Sequence, residues 1–398
     1  MKVYPRKDLD HSFKNLFSAV GIASTPNLEK KTIENEFENL WQEENLVTGL
    51  SVRTIFDSFL TSQNFDEGSE VIMSGITIPD MVKIVESHKL KIIPVDMDMA
   101  TLQVSSESIS NAITEKTIMV IVAHLFGSRM KMEPIYNALS NHPHIMIVED
   151  CAQAFDGVNG YVKGRMTDIS LFSFGTIKSI TALGGAIAFV KKPELKKAIK
   201  TNLGYHPKIK DSEFLIKALK YLMLKILGKP SIYGLFIFTM RLFGVDYDKA
   251  IISIVRMVKD GDLLNSIRKD ISNSQLRYLL YRLKNMKEDH LLKRIQAGDY
   301  VKERLVNINV HGVNNSTHSY WLFPIKISNR SDVVKLLRDE GFDATFTSTQ
   351  LIAIRSSDSG HAPSECKTYM DSTIYLPVYG SMPKSALDLL ISVLNKCT

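Results

Sequence analysis

The first half of the sequence alternates short apolar runs with segments of helical periodicity, and this alternation restricts the fold more than any other feature. The apolar runs are rich in β-branched residues and lack polar alternation, as strands buried on both faces do. A chain that alternates strands with helices predicts a mostly parallel α/β sheet covered by helices on both sides, whose ligands bind beyond the carboxyl ends of the strands. We predict strands at 70–74, 91–96, 117–123, 144–150, 169–174 and 184–190, and helices at 32–43, 52–60, 79–88, 105–113, 131–139 and 193–201.

The sequence changes character after residue 204. Helical periodicity dominates from 205 to about 270, where no strand pattern occurs. A long helix is then predicted at 274–304, a strand at 320–327, and helices at 332–340 and 384–394. We therefore expect a large α/β domain over residues 1–204, a helical insertion over 205–270, and a long helix with a small α+β C-terminal domain over 271–398.

Composition argues against several classes of protein. The net charge of +6 is spread over 398 residues, and no stretch concentrates Lys and Arg with interleaved aromatic residues, so nucleic-acid binding is not expected. Cys151, Cys366 and Cys397 have no metal-binding spacing and suit a reducing cytoplasm, so neither a metal site nor a disulfide framework is expected. No apolar run reaches the roughly 18 residues of a membrane-spanning helix, and the first residues lack the apolar core of a signal peptide. We expect a cytoplasmic protein.

Two residues near predicted strand ends carry the chemistry. Asp150 directly follows the run Ile-Met-Ile-Val-Glu, which places a carboxylate at the carboxyl end of a buried strand, although a turn-forming aspartate would look the same. Lys178 follows the next predicted strand among small and apolar residues and precedes the pair Gly184-Gly185. A lysine in such surroundings can be desolvated and lose its proton, as a Schiff-base amine must.

Several short motifs occur in an order and spacing typical of one family. They are 122–127 (VAHLFG), 148–154 (VEDCAQA), 172–174 (FSF) with Lys178, 184–186 (GGA), 318–321 (HSYW) and 376–379 (LPVY). Together they resemble the DegT/DnrJ/StrS family of sugar aminotransferases, which have fold type I and use pyridoxal 5′-phosphate (PLP). The resemblance covers most of the chain except residues 205–265. It implies a homodimer with active sites at the interface, and a divergent subgroup.

The resemblance implies a role for five residues. Lys178 matches the lysine that forms the Schiff base with PLP and then moves the proton between substrate and cofactor. Asp150 matches the partner of the pyridine nitrogen, whose positive charge makes the ring an electron sink. Gln153 matches the residue that hydrogen-bonds the 3-hydroxyl oxygen, Ser173 matches the phosphate-binding serine, and His124 stands where the family has a histidine near the cofactor.

The chain departs from the family at the expected phosphate and stacking positions. Where the family has Ser-Gly-Thr at a helix start that holds the phosphate, this chain has Ser51, Val52, Arg53 and then threonine. The helix start still offers backbone N–H groups to an anion, and Arg53 either binds the phosphate or faces solvent. Where an aromatic ring usually stacks on the cofactor, the sequence has Ile78.

A further motif is also altered. The family carries an Asn-x-Arg that reaches the partner subunit's phosphate, and the nearest candidates in this sequence are Asn265 and Arg268, with changed spacing. We predict that these two residues bind the substrate or a phosphate.

The helical insertion has two interpretations. Apolar residues recur at helical spacing between 212 and 243, and lysines and aromatic residues are mixed among them. This pattern is typical of helices that pack over a cleft or widen a dimer interface. The alternative, which we do not favour, is a basic amphipathic surface that contacts a membrane or a lipid-bearing substrate.

The motifs and the resemblance predict an aminotransferase. It would move an amino group from an amino acid such as glutamate to a keto group of a nucleotide-linked sugar or a related metabolite, with a ping-pong mechanism. A lipidic or secondary-metabolite carbonyl is the alternative acceptor, and a non-catalytic relative that uses the fold for assembly or regulation is the alternative class. PLP-dependent sugar dehydratases of this fold replace the lysine with histidine, and Lys178 therefore argues against dehydration.

Overall fold

A seven-stranded sheet forms the centre of the computed structural model, which describes residues 2–25, 28–160, 166–244, 262–347 and 350–397. Its strands are β1 (Leu46–Gly49), β2 (Glu70–Ser74), β4 (Lys91–Val95), β5 (Thr117–Ala123), β6 (Met146–Asp150), β7 (Ile169–Ser173) and β8 (Ala186–Val190), while β3 (Ile76–Thr77) lies outside it. The order is β1-β8-β7-β6-β5-β2-β4. All neighbours from β4 to β7 are parallel, whereas β8 is antiparallel to β7 and to β1.

Helices cover both faces of this sheet. They are α1 (Phe13–Ala23), α2 (Lys30–Trp41), α3 (Val52–Gln63), α4 (Pro79–Ser87), α5 (Ser106–Ala112), α6 (Glu133–Ala138) and α7 (Pro193–Gly204). Successive strand residues enter different clusters: Val71 packs with α3 and α4, and Ile72 packs with α5 and α6. Because side chains alternate along a strand, both faces are buried, which explains the continuous apolar runs. The predicted mostly parallel sheet is confirmed.

The described part of the predicted insertion is helical. It contains α8 (Asp211–Leu227), α9 (Pro230–Leu242) and α10 (Leu263–Ile267), and residues 245–261 lie outside the described chain. Within the described ranges, no single helix is long and apolar enough to cross a bilayer. Only α8 taken together with α9 as far as Met240 reaches that length and composition, and the pair is bent by 91°.

The long helix predicted at 274–304 is wrong, because two helices occupy this stretch. They are α11 (Asn273–Lys284) and α12 (Glu288–Lys302). The backbone and side-chain amides of Asn285 both donate to the carbonyl oxygen of Tyr281, at 3.0 and 2.9 Å, and so satisfy a carbonyl at the end of α11. The strand β1 was not predicted, because a four-residue run with a glycine gives little periodic signal.

A smaller α+β unit follows. It contains β9 (Phe323–Lys326), α13 (Arg330–Asp339), β10 (Ile352–Ala353), α14 (Ser364–Ser372), β11 (Thr373–Leu376) and α15 (Lys384–Asn395). The strands β9 and β11 are antiparallel, and β10 pairs with β3. The strand predicted at 320–327 begins only at Phe323, since Tyr320 has a φ of 47°, outside the extended region.

The N-terminal segment runs along this smaller unit. The Tyr4 N–H donates to the Gly341 carbonyl at 2.8 Å, and Arg6 forms an ion pair with Asp343 at 2.7 Å. These contacts fix the position of the next residue, Lys7, near the carboxyl ends of the sheet strands, where the predicted site lies.

Candidate active site

Lys178 and Asp150 lie close enough to influence each other's charge. Asp150 ends β6, and Lys178 lies in the turn after β7, where its N–H donates to the Gly175 carbonyl at 3.1 Å. Both residues are half-buried. Burial lowers the pKa of Lys178 to about 8, against the opposing effect of the Asp150 carboxylate, and the charge of Arg53 lowers this pKa further. The uncharged amine, which nucleophilic attack on an aldehyde requires, therefore forms more readily near neutral pH than on an ordinary surface lysine.

Opposing effects act on the pKa of the Asp150 carboxyl group. Burial raises its pKa, while the Ala152 N–H, which donates to Oδ1 at 3.0 Å, and the charge of Lys178 act to lower it. A cationic group beside this carboxylate would offset the cost of burial. The arrangement suits a protonated ring nitrogen of a ligand.

A hydrogen bond to its amide oxygen holds the side chain of Gln153 in place. Its Oε1 accepts the Phe126 N–H at 2.8 Å, and Phe126 and Gly127 both have positive φ, at 58° and 94°. A Cβ on Gly127 would lie 2.5 Å from the Ser319 hydroxyl, so this tight turn requires glycine. Gln153 Nε2 makes no hydrogen bond to another described residue, which leaves a donor for a ligand oxygen.

Two serines lie at positions suited to an anion. Ser173 at the end of β7 is half-buried, and its hydroxyl accepts the Gly175 N–H at 3.4 Å. Ser51 caps α3 by accepting the Thr54 N–H at 3.2 Å. The cap leaves the other first-turn N–H groups of this twelve-residue helix for an anion, and the side chain of Val52 at this start is buried.

Arg53 and Ile78 have structural partners of their own. The Arg53 guanidinium forms an ion pair with Asp80 at the start of α4, so a phosphate would compete with this carboxylate. Ile78 precedes α4, is half-buried, and packs against the clusters on both faces of the sheet. Neither residue shows a contact that only a cofactor role would explain.

His124 is engaged through both ring nitrogens. Its Nδ1 accepts the Met130 N–H at 2.9 Å, which assigns the ring proton to Nε2, and Nε2 lies 3.0 Å from Glu149 Oε2. Glu149 also accepts hydrogen bonds from Thr167 and, at 3.5 Å, from Ser170. The ring nitrogens therefore orient buried protein groups and not a ligand.

Cys151 lies close to His124 and Glu149, and all three are residue types that can bind a metal ion. Donor atoms of His124, Glu149 and Cys151 all lie within 4.8 Å of one another and are buried. His124 and Glu149 already make hydrogen bonds within the protein through these donor atoms. The hydrogen bonds of Glu149 account for this cluster without a metal.

Asn265 and Arg268 both bond to carboxylates of the protein. The Asn265 N–H donates to its neighbour Asp262 at 3.0 Å. Arg268 forms two bonds to Asp57, at 2.8 and 3.0 Å, and Asp57 also pairs with His88. Neither candidate is among the residues that line the cleft beside Lys178.

Sequence reasoning missed one aromatic residue and two cations in this cleft. The Lys178 ammonium lies 4.8 Å from the ring centroid of Trp321, whose Nε1 donates to the Ile177 carbonyl at 2.8 Å. Lys7 and Arg294 line the same cleft. Trp321 was part of a recognised motif without an assigned role, whereas no local pattern marks the two cations, because they reach the cleft only through the tertiary fold.

Solved structures define the class of the fold. The E. coli GDP-4-keto-6-deoxy-D-mannose-3-dehydratase with bound hydrated PLP superposes with a TM-score of 0.70 at 15% identity, over 99% of this chain and all of that chain. DesV of S. venezuelae gives a TM-score of 0.69 at 16% identity, over 100% of this chain and 98% of that one. The protein has the architecture of the fold-type I PLP enzymes.

The sequence comparisons establish the family. The model of the DegT/DnrJ/EryC1/StrS aminotransferase family matches residues 22–223. The chain belongs to this family. The GDP-perosamine synthase of Escherichia coli O157:H7 is 34% identical over 157 residues, which are 38% of this chain and 43% of that protein. The match thus spans less than half the length of this curated relative.

Proposed function

We propose that the protein is a PLP-dependent aminotransferase that transfers an amino group from an amino acid, such as glutamate, to a keto group of a nucleotide-linked sugar or a related metabolite. The observation that carries the proposal is Lys178 with its lowered pKa beside the half-buried carboxyl group of Asp150, at the carboxyl ends of β6 and β7. Family membership supports the reaction type.

The residues at this site fit PLP. Lys178 supplies an amine that loses its proton readily, Asp150 supplies a carboxylate for a cationic ring nitrogen, and Gln153 keeps a free amide donor. Ser173 and the capped start of α3 offer a hydroxyl and backbone N–H groups for a phosphate. When bound, PLP supplies an electron sink for negative charge that develops at the substrate Cα.

Each side chain then has a defined task. Lys178 would move a proton between the substrate Cα and the cofactor. Its pKa of about 8 allows the amine both to accept and to release this proton near neutral pH. Asp150 holds a proton on the ring nitrogen. Gln153 orients the ring oxygen while its own oxygen fixes the turn at Phe126. Trp321 covers the lysine with an aromatic face and limits the access of water.

Lys178 also favours amino transfer over dehydration. One similar structure is a dehydratase, and the resemblance implies a histidine at the lysine position in such enzymes. A lysine at this position suits a reversible bond to the cofactor followed by release of an aminated product. We also propose that the active form is a homodimer, which light scattering of the purified protein tests directly.

The test is the visible absorbance of PLP bound to the purified protein. Lys178→Ala is expected to abolish the absorbance of covalently bound PLP and the half-reaction with amino acids, with the circular dichroism unchanged. Lys197→Ala, at an exposed position on α7, is the matched control and is expected to retain both signals. A parent protein that binds no PLP, or a Lys178→Ala variant that keeps full turnover, contradicts the proposal.

A further inference from the structure

The cleft beside Lys178 is lined by charged residues from distant parts of the chain. The N-terminal segment contributes Lys7, the helix α12 contributes Arg294, and the segment before β9 contributes Trp321. The Lys7 ammonium lies 3.7 Å from the Trp321 ring centroid, and the Lys178 ammonium lies 4.8 Å from the same centroid. The Trp321 ring thus contacts both Lys7 and Lys178, the candidate reactive lysine.

The two carboxylates in this cleft already have other partners. Asp8 accepts the Ser381 hydroxyl at 2.8 Å and pairs with Lys225 at 3.3 Å. Asp10 accepts a bond from Arg282 at 2.7 Å and pairs with His290 at 3.2 Å. Neither carboxylate forms an ion pair with Lys7 or Arg294.

Lys7 and Arg294 bond only to neutral groups among the described residues. Lys7 Nζ donates to the Trp321 carbonyl at 2.8 Å, and Arg294 Nε donates to the Ser319 carbonyl at 2.7 Å. Burial and neighbouring positive charges lower the pKa of Lys7 well below its usual value, and burial lowers that of Arg294 to about 10. The charge of Asp10 acts to raise the pKa of Arg294, but neither Lys7 nor Arg294 forms an ion pair with a described residue. An anion bound between them would favour the charged form of both groups, so their placement beside a reactive lysine indicates a binding role.

We propose that Lys7 and Arg294 bind the carboxylate of the amino-acid donor, and of the keto acid formed from it, in the cleft that Lys178 shares. The inference rests on the proposed aminotransferase function. A guanidinium with free N–H groups and an adjacent ammonium together match an oxyanion.

The donor carboxylate fits this position better than the phosphate of a nucleotide-linked acceptor. The carboxylate of an α-amino acid is attached to the same carbon as the reacting nitrogen, so it must lie within a few ångströms of the lysine that moves the Cα proton. The phosphate of a nucleotide-linked sugar is separated from a ring keto group by part of the sugar ring. A cationic pair that lines the same cleft as Lys178 is therefore assigned to the donor.

The experiment is calorimetric binding of 2-oxoglutarate, pyruvate and inorganic pyrophosphate to the PLP-loaded protein. Lys7→Gln and Arg294→Gln are each expected to raise the Kd for the keto acid by about 10-fold to 100-fold, the range for a charge-assisted bond. Lys293→Gln is the matched control on the same helix, where the lysine is exposed and pairs with Asp289, and it is expected to bind like the parent. Arg294→Lys retains the charge and is expected to recover part of the affinity.

The visible absorbance of bound PLP separates this inference from the proposed function. It is expected to be unchanged in both variants, because neither residue is assigned to the cofactor. Should the parent bind no PLP, the proposed function fails, while the same titration of the PLP-free protein still shows whether Lys7 and Arg294 bind a carboxylate. Keto-acid binding that is absent from the parent, equal in parent and variants, or equally weakened by Lys293→Gln overturns the inference. Weakened pyrophosphate binding with unchanged keto-acid binding assigns the pair to a phosphate and also overturns it.

Discussion

The cleft beside Lys178 and the hairpin of α8 and α9 place charged and apolar groups in opposite ways. In the cleft, the basic residues Lys7 and Lys178 are half-buried and Arg294 is buried. In the hairpin, large apolar side chains are exposed, including Ile216 at 68% and Phe238 at 61%. Buried charge indicates a site for a polar ligand, whereas contiguous exposed apolar surface indicates contact with another surface.

Because of this difference, we expect substitutions in the two regions to affect different properties of the protein. Substitutions of the basic residues in the cleft should alter the reaction while the free energy of unfolding changes little, because these side chains are not part of the apolar core clusters. Substitutions in the hairpin should alter only stability or association.

Asp150→Asn is expected to lower turnover by at least about 100-fold, a typical loss for a positioned acid–base group. The physical reason is that an amide cannot hold a proton on the ring nitrogen of PLP, so the electron sink is lost. Single-turnover measurements with an amino-acid donor provide the readout. The absorbance of bound PLP should persist, since Lys178 remains. Unchanged turnover would refute the role given to Asp150.

The sequence predicted the strand-end residues better than the cleft as a whole. Asp150 and Lys178 follow apolar runs, and a parallel sheet brings the carboxyl ends of its strands together, so local patterns locate these residues. Lys7 and Arg294 meet only because the N-terminal segment and α12 both contact the C-terminal unit. Such long-range proximity has no periodic signal in a single sequence.

Two other residues show which contacts local patterns do not reveal. His124 was expected near the cofactor, but its hydrogen bonds to Met130 and Glu149 can be seen only once β5 and β6 are adjacent. Arg53 was expected either at the phosphate or in solvent, and its partner Asp80 lies on the next helix. Partners from neighbouring elements thus decide what a polar side chain can bind.

Phe214→Ala tests the other region and is expected to lower the free energy of unfolding by about 3–5 kcal/mol, because it leaves a cavity beneath α8. Phe214 is only 1% exposed, and its ring lies tilted against that of Tyr278, with the centroids 5.7 Å apart. Ile216→Ala, two residues along the same helix, removes an exposed side chain and should change stability by less than about 0.5 kcal/mol. Urea unfolding measures both. Equal losses would show that the exposed face of the hairpin is covered in solution, as in a homodimer.

The pH at which Lys178 loses its proton is the next expected effect. Burial lowers its pKa to about 8, the Asp150 carboxylate acts to raise it, and Arg53 acts to lower it. Acetylation of the uncharged amine, followed by mass spectrometry in PLP-free protein, should therefore rise with pH and level off above about 8. The midpoint should move to lower pH in Asp150→Asn and to higher pH in Arg53→Gln. Lys7 lines the same cleft, and the charge of Lys178 lowers the pKa of Lys7 in turn.

Arg53→Gln is expected to have the smallest effect on cofactor binding, although the residue lies near the cleft. Its guanidinium pairs with Asp80, and both side chains are partly exposed, so the pair resembles a surface ion pair worth about 0–1 kcal/mol. The affinity for PLP, measured by equilibrium dialysis, should therefore change by no more than that free energy. Asp80→Asn is the matched variant, because it leaves Arg53 without this carboxylate and should tighten PLP binding only if the arginine can reach the phosphate. A loss of 10-fold or more in Arg53→Gln would instead show that Arg53 leaves Asp80 when the phosphate binds, and would place it with the buried, ligand-directed cations of the cleft.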